Sequence, residues 1–366
     1  MLGVALGVGA LYLPGASGAD VTPAANASGP ARLPSLGDGS EISLGEERRL
    51  GDSIMREILR DPDVIDDPVL AEYVGTLWQR LREAAKWLVA AENPVIIADR
   101  CVRSQEGMNN LVKLAELLQA PVVDKYSRLN FPNKHPLCHT MGGGAALRQA
   151  DVVLCLEPAD LFGTLYDKPD AVISKAEPRF KPGAKIINLG IGQVGITKSN
   201  INAFMRYAPT DLVIVGDAEA SLPTLTEAIG MEISDNAKTR LATRGKRLAD
   251  MKPRFLEAAK KQAAYGWDAS PITGARLCME LWDQIKKDDW AAGALSDGLG
   301  GWGLQLWDMD KWYQHIGGMG GGGLGYFPAA AVGAALANKK AGRITVSTVG
   351  DGSFNLAPGV LWTAAQ

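Results

Sequence analysis

The sequence predicts an α/β chain: a doubly wound parallel-sheet domain, then a second α/β unit, behind a short helical N-terminal segment. Three observations carry that prediction. From residue 94 onward, apolar runs of four to six residues alternate with stretches of helical periodicity, as strands buried on both faces do. Seven of the nine residues 317–325 are glycine, and an alanine-rich helical stretch and another apolar run follow. The composition is that of a globular chain, 46% apolar and 22% charged over 366 residues, enough for two or three domains. It excludes disorder for most of the chain, a repeat array and a collagen-like fibre. A net charge of −3 leaves no basic footprint for nucleic acid. No apolar run reaches the roughly 18 residues of a membrane-spanning helix.

Residues 2–13 are apolar and lead into Gly15-Ala16-Ser17-Gly18-Ala19, like the core and small-residue cleavage site of a secretory signal without its basic start. Residues 20–40, rich in Ala, Gly, Pro and Ser, read as a linker. From Ser43 to Leu81 the pattern is helical. Ser43 and Glu46 are spaced as a capping box, and Leu50, Ile54, Ile58 and Leu59 follow at helical intervals. Asp61-Pro62 interrupts, and a second helix is expected near Asp67-Pro68. All 19 lysines lie at or after Lys86, and residues 1–81 hold 12 acidic and 6 basic side chains against 29 and 32 in the remainder. That asymmetry marks a change of character near residue 82.

Beyond it, Glu83–Ala91 reads as an amphipathic helix ended by Asn93-Pro94. Strands are expected over Val95–Ala98, Pro121–Val123, Asp151–Leu156, Lys185–Leu189 and Asp211–Val215, with a helix over Gly107–Leu118. Charged helical sequence from Asn236 to Ala264 reads as a connector, and the second α/β unit begins near Trp267. The expected organisation is a signal-like segment and linker over 1–40, a helical segment over 41–82, a central domain over 83–235, a connector over 236–265 and a second domain over 266–366.

Cys101, Cys138, Cys155 and Cys278 show no C-x-x-C pair and read as buried free thiols. His135 and His139 flank Cys138, but Pro132 and Pro136 argue against a helical metal pair, leaving loop residues packed over the sheet. His315 precedes the glycine-rich stretch, where it could face a substrate. Trp302, Trp307 and Trp312 recur every five residues, a spacing of neither helix nor strand face, and read as packing or subunit interface.

The glycine-rich stretch lets backbone approach a ligand, and the helix after it offers N–H groups to an anion; a hinge or tight helix packing would look the same. The strand expected over Arg343–Val349 runs into Gly350-Asp351-Gly352-Ser353-Phe354. A carboxylate at the carboxyl end of a parallel strand stands where open α/β sheets place ligands. Asp351 suits a Mg²⁺ ion bridging to phosphate oxygens; the plainer alternative is an aspartate capping the next helix.

Together these motifs resemble the thiamine-diphosphate-dependent enzymes of the acetolactate synthase and benzoylformate decarboxylase group. Gly321–Ala330 is similar to that family's loop before the second helix of the diphosphate-binding domain, and Gly350–Phe354 to the start of its metal motif. Glu83–Asp99 and Asp211–Ala218 resemble its central domain, so the likeness runs from about residue 83 to 366. The resemblance implies cofactor-binding roles for Gly322, Gly323, Leu324, Gly325, Gly350, Asp351, Gly352 and Ser353. Within that set Asp351 is the Mg²⁺ ligand, Gly352 and Ser353 give N–H groups to the diphosphate, and Leu324 holds the cofactor bent. Ser296–Gly301 resembles a diphosphate-facing turn, which a plain strand-to-helix turn would also explain.

The implied cofactors are thiamine diphosphate and Mg²⁺, with FAD in the central domain of some relatives. The implied reaction is decarboxylation of a small-molecule 2-keto acid or carboligation of its fragment, in a homo-oligomer (dimer or tetramer) located in the cytoplasm. In the family an asparagine further along than the 15 residues following Asp351 completes the metal site, and an activating glutamate comes from a pyrimidine-binding domain longer than the 82 residues before the central domain. The expectation is a thiamine-diphosphate domain truncated relative to that family, with little turnover by this chain alone and no catalytic residue assigned.

Ile42–Glu47, Ile65–Pro68 and Tyr73–Leu81 resemble the start of periplasmic zinc metallopeptidases of outer-membrane assembly, but the H-E-x-x-H zinc helix is missing from the sequence, which rejects a working peptidase. Two alternatives stand beside the main reading. One is a non-catalytic nucleotide-binding α/β protein, and the other a secreted, peptidase-related assembly protein, periplasmic if the N-terminal signal is real.

Overall fold

The structure, a computed structural model, describes residues 44–58, 60, 67–167, 176–191, 207–295, 301–317 and 323–366. The chain divides into two units, residues 1–66 and 67–366. In the first, the described element is α1 (Leu44–Ile58), with Leu50, Ile54 and Met55 exposed along it. Ser43 of the expected capping box, the Asp61-Pro62 break and the signal-like residues lie outside the described residues.

The second unit opens with α2 (Pro68–Ala90). Asp67 caps it, accepting from the N–H groups of Val69 at 2.9 Å and Leu70 at 3.3 Å, and Pro68 occupies a first-turn position where its missing N–H is not needed. The helix expected near Pro68 and the one expected over Glu83–Ala91 are therefore one element. Between them the sequence has Gly75 but no proline, and periodic order continues. Its C-terminal part buries Leu81, Ala84, Ala85, Leu88 and Val89, and the chain turns extended at Ala91 ahead of Asn93-Pro94.

Five parallel strands follow: β1 (Pro94–Ala98), β2 (Val122–Asp124), β3 (Val152–Leu156), β4 (Lys185–Leu189) and β5 (Leu212–Ile214), in the order β2-β1-β3-β4-β5. Between them run α3 (Gln105–Leu118), α4 (Gly143–Gln149) and α5 (Leu161–Leu165), and α6 (Ala218–Glu232) follows β5. Side chains alternate along each strand, so one sheet supplies two cores. Ile96, Ala98, Leu154, Leu156, Ile187 and Leu189 pack with α2, α3 and α6. Val95, Ile97, Val153, Cys155 and Ile186 pack with Leu147 of α4 and with Leu161, Phe162 and Leu165 of α5. Both faces are covered, which makes the sheet doubly wound as expected.

The connector is one long helix, α7 (Asp235–Ala263), fastened to the central domain along its length. The Arg244 guanidinium donates to the carbonyls of Ala91 (2.9 Å), Glu92 (3.1 Å), Leu118 (2.5 Å) and Gln119 (2.9 Å). Lys252 donates to the carbonyls of Asn133 (2.6 Å) and Cys138 (2.7 Å), satisfying a buried ammonium.

The second α/β part holds α8 (Gly274–Ile285), β6 (Trp290–Leu295), α9 (Trp302–Leu306), α10 (Tyr326–Lys339), β7 (Ile344–Thr348), α11 (Asp351–Asn355) and α12 (Val360–Ala365), with β6 and β7 paired in parallel. Trp307 is core: its indole N–H donates to the Cys278 carbonyl at 2.9 Å, and its ring stacks on Trp282 and meets Trp290 edge-on. All four cysteines are buried and free. No described helix is long and apolar enough to cross a membrane.

The loop after β2 joins the two parts. Asn133 donates to the carbonyls of Leu304 (3.0 Å) and Trp307 (2.8 Å) and accepts from the N–H of Met309 (3.0 Å). His135 lies 3.3 Å from the Glu116 carboxylate, while His139 is buried edge-on against Phe255. They are loop residues over the central domain, and no group of three or more His, Cys, Asp or Glu suited to a metal occurs among the described residues.

Candidate cofactor site

Three chain segments run parallel in the second part and leave at the same edge. β6 and β7 are in register through Leu295↔Thr348, so their last paired residues stand side by side at one edge. On the other edge of β6, His315 forms a parallel bridge with Ala292, after which Ile316 and Gly317 enter the glycine-rich stretch. The glycine-rich stretch and the Gly350–Ser353 turn thus start from the carboxyl edge of adjacent parallel segments, where such sheets place ligands. Residues 296–300 and 318–322, Gly322 included, lie outside the described residues.

Both sides of the glycine-rich stretch are anchored. At its entry Gly317 has φ +87°, and a Cβ there would overlap the Ser127 carbonyl, so only glycine fits. At its exit Gly325 (φ +83°) caps α10, and its N–H donates to the Ser353 hydroxyl at 3.0 Å. That bond ties the end of the glycine-rich stretch to the Gly350–Ser353 turn, bringing together two motifs that lie 28 residues apart. Gly323 has open space around it, and Leu324, 78% exposed, projects from the turn before α10.

Gly350 is extended and passes β7 into α11, whose first residue is Asp351. Asp351 does not cap this helix, and its carboxylate is exposed. Gly350 and Gly352 leave open space on both sides of it. The N–H groups of the first turn have no acceptor within the helix. The donor set is therefore one free carboxylate beside unpaired backbone N–H groups and side-chain-free glycines. It fits a Mg²⁺ ion that arrives with phosphate oxygens, because Mg²⁺ takes one or two carboxylates together with phosphates and water. Among the described residues no cage exists that would hold a cation by protein groups alone.

His315 does not face this edge. It is buried, its Nε2 lies 2.9 Å from the Tyr126 carbonyl, and its own carbonyl accepts from the Leu129 N–H at 2.8 Å. Burial holds its imidazole below the usual range, so it is a neutral junction residue and not a substrate-facing one. Sequence reasoning also missed β6. Its signal was an apolar run, Trp290-Ala291-Ala292-Gly293-Ala294-Leu295, between Asp288-Asp289 and Ser296-Asp297-Gly298.

Comparison with known proteins adds the deciding observation. Residues 81–225 match the thiamine pyrophosphate enzyme central domain, and residues 298–366 match the thiamine pyrophosphate enzyme C-terminal TPP binding domain. The chain belongs to the thiamine-diphosphate-dependent enzymes. It is 29% identical over 299 residues to an acetolactate synthase of Mycobacterium avium, covering 78% of this chain and 43% of that protein. It is 35% identical over 161 residues to an acetolactate synthase of Mycobacterium bovis, covering 42% and 23%. With a sulfoacetaldehyde acetyltransferase of Rhodobacter capsulatus it shares 30% over 189 residues, 49% of this chain and 29% of that one. The chain spans less than half the length of these relatives. An X-ray structure of a candidate thiamin diphosphate-dependent enzyme from Mycobacterium smegmatis superposes with a TM-score of 0.54 at 23% identity, over 79% of this chain and 50% of that one, and shares the fold. In this member of the family the stretch matching the TPP binding domain contains both joined motifs, 323–325 and 350–353.

Proposed function

We propose that this chain forms the cofactor-carrying part of a thiamine-diphosphate- and Mg²⁺-dependent decarboxylase or carboligase acting on 2-keto acids, as in acetolactate synthase. The observation that carries the reading is the Gly325–Ser353 hydrogen bond at the carboxyl edge of β6 and β7, which sets a free carboxylate beside two glycine turns. Asp351 binds the metal, and the N–H groups of Gly352 and Ser353 bind diphosphate oxygens. Gly322, Gly323, Gly325 and Gly350 admit the diphosphate close to the backbone, and Leu324 supports the cofactor from one side.

Thiamine diphosphate supplies the carbanion chemistry at the 2-keto carbon when bound; the protein's share is binding and orientation. Leu324, Leu356, Leu361 and Trp362 expose apolar surface in the same part of the chain, which supports a homo-oligomer packed there. The reaction class is tested on the protein as the cell makes it, by CO₂ release from pyruvate and other 2-keto acids. Release that requires both thiamine diphosphate and Mg²⁺ and is lost in Asp351→Ala is expected. Cofactor binding without release from any 2-keto acid would contradict the reaction class.

A further inference from the structure

Flavin, which some relatives hold in the central domain, has a definable place to be tested. In an open parallel sheet the ligand crevice lies at the carboxyl ends of the strands where their order reverses, here between β1 and β3. A nucleotide diphosphate would need the N–H groups at the starts of the surrounding helices. In this chain the N–H groups of Gly107 at the start of α3 and of Ala218 and Ala220 at the start of α6 are already bonded to side chains of the domain itself.

Glu219, on the first turn of α6, reaches across to the start of α3. It accepts from the Arg103 N–H (3.1 Å), from Arg103 Nε (3.0 Å) and from the Ser104 hydroxyl (2.5 Å). It lies so close over Gly107 that a Cβ there would overlap it. At the start of α6, Asp217 accepts from the Ala220 N–H (3.0 Å) and pairs with the Arg103 guanidinium. Glu157, in a left-handed backbone conformation at φ +47°, accepts from the Ala218 N–H at 3.0 Å. Asp99 is buried and accepts from the Ala159 N–H (2.6 Å) and the Ser127 N–H (3.3 Å). The floor is closed by backbone bonds from Asp99 N–H to the Leu156 carbonyl and from Arg100 N–H to the Glu157 carbonyl, each 3.2 Å.

Four carboxylates therefore stand where a diphosphate would bring its own negative charge, and Arg103, which would otherwise attract it, is held by two of them. We infer that the central domain takes up neither flavin nor another nucleoside diphosphate, because Glu219 and its partner Arg103 close the crevice from within. The thiamine diphosphate reading is independent of this, since that cofactor's candidate turns belong to the other sheet.

The full chain is purified without added nucleotide, assayed for flavin released on denaturation, and titrated calorimetrically with FAD and with ADP. EDTA is present, so that metal-dependent diphosphate binding at Asp351 does not contribute. The expected results are no flavin and no binding in the wild type, and at least tenfold tighter ADP binding in Glu219→Ala, whose folding is checked by its melting curve. Flavin or ADP bound one per wild-type chain would overturn the inference. A folded Glu219→Ala chain as silent as wild type would overturn the part assigned to Glu219. The wild-type measurement needs no variant, so a poorly folding substitution leaves it decisive.

Discussion

Asp351 is exposed and unpaired, so its removal separates binding from folding. Asp351→Ala is expected to weaken Mg²⁺-dependent thiamine diphosphate binding by tenfold or more, with a melting temperature close to wild type, because exposed substitutions change stability by only about ±0.5 kcal/mol. Gly325 behaves oppositely. With φ at +83° and its N–H held by Ser353, Gly325→Ala is expected to cost about 1–2 kcal/mol, read from a denaturant midpoint, and to weaken cofactor binding with it. Asp124 gives a pH signature. Burial pushes its carboxyl up from 3.8 to about 7, against hydrogen bonds from Asn130 and Tyr126 that favour the charged form. The folded state thus holds this proton more tightly than the unfolded chain. Its stabilising contribution is present below about pH 4, declines as pH rises towards 7 and is flat above. The difference in unfolding free energy between wild type and Asp124→Asn, measured across that range, is expected to fall with rising pH. A pH-independent difference would show that Asp124 titrates alike in both states.

At the scale of elements, the buried parallel strands were legible because β1, β3 and β4 are short, aliphatic and bounded by turn residues. β6 was not, since alanine, glycine and tryptophan spell no β-branched run, and what makes Ala291 and Ala292 strand residues is pairing with β7 and close cover by α10, whose Ala334 comes within 3.1 Å of a Cβ built on Gly293. The break expected before Glu83 failed because a change of charge does not end a helix; a proline or a competing cap does, and α2 meets neither before Ala91. For the candidate site, the two glycine motifs were legible as motifs. Their meeting through Gly325 and Ser353 was not, because it depends on strand register and a tertiary hydrogen bond. Likewise the spacing of Trp302, Trp307 and Trp312 gave no face, yet Trp307 fills the space between α8 and β6. Trp307→Ala is expected to destabilise by about 3–5 kcal/mol, measured by chemical denaturation, through the cavity and the lost indole hydrogen bond to the Cys278 carbonyl.

Across residues 67–366, one buried asparagine links the two sheets' surroundings. Asn133 bonds the Leu304 and Trp307 carbonyls and the Met309 N–H, and replacing it with alanine removes the side-chain partner of three backbone groups, two of them buried. Loss of such partners costs about 1–3 kcal/mol per group. Asn133→Ala is expected to split a single unfolding transition into two, followed in parallel by tryptophan fluorescence and far-UV circular dichroism; coincident transitions would show that the other contacts between the parts, the His315 bonds to Tyr126 and Leu129 included, suffice. The compositional step near residue 82 falls within α2, whose buried face begins at Leu81, so the change in charge coincides with the start of packing onto the central sheet and not with a helix end.

The account's central claim is that the carboxyl edge of β6 and β7 is a metal-diphosphate site. The direct measurement is calorimetric titration of the full chain with thiamine diphosphate, with and without Mg²⁺, for wild type and Asp351→Ala. The account predicts one cofactor per site, bound only with Mg²⁺ and lost on substitution of Asp351. Binding that is indifferent to both the metal and Asp351, or no binding by a folded wild-type chain, would contradict it.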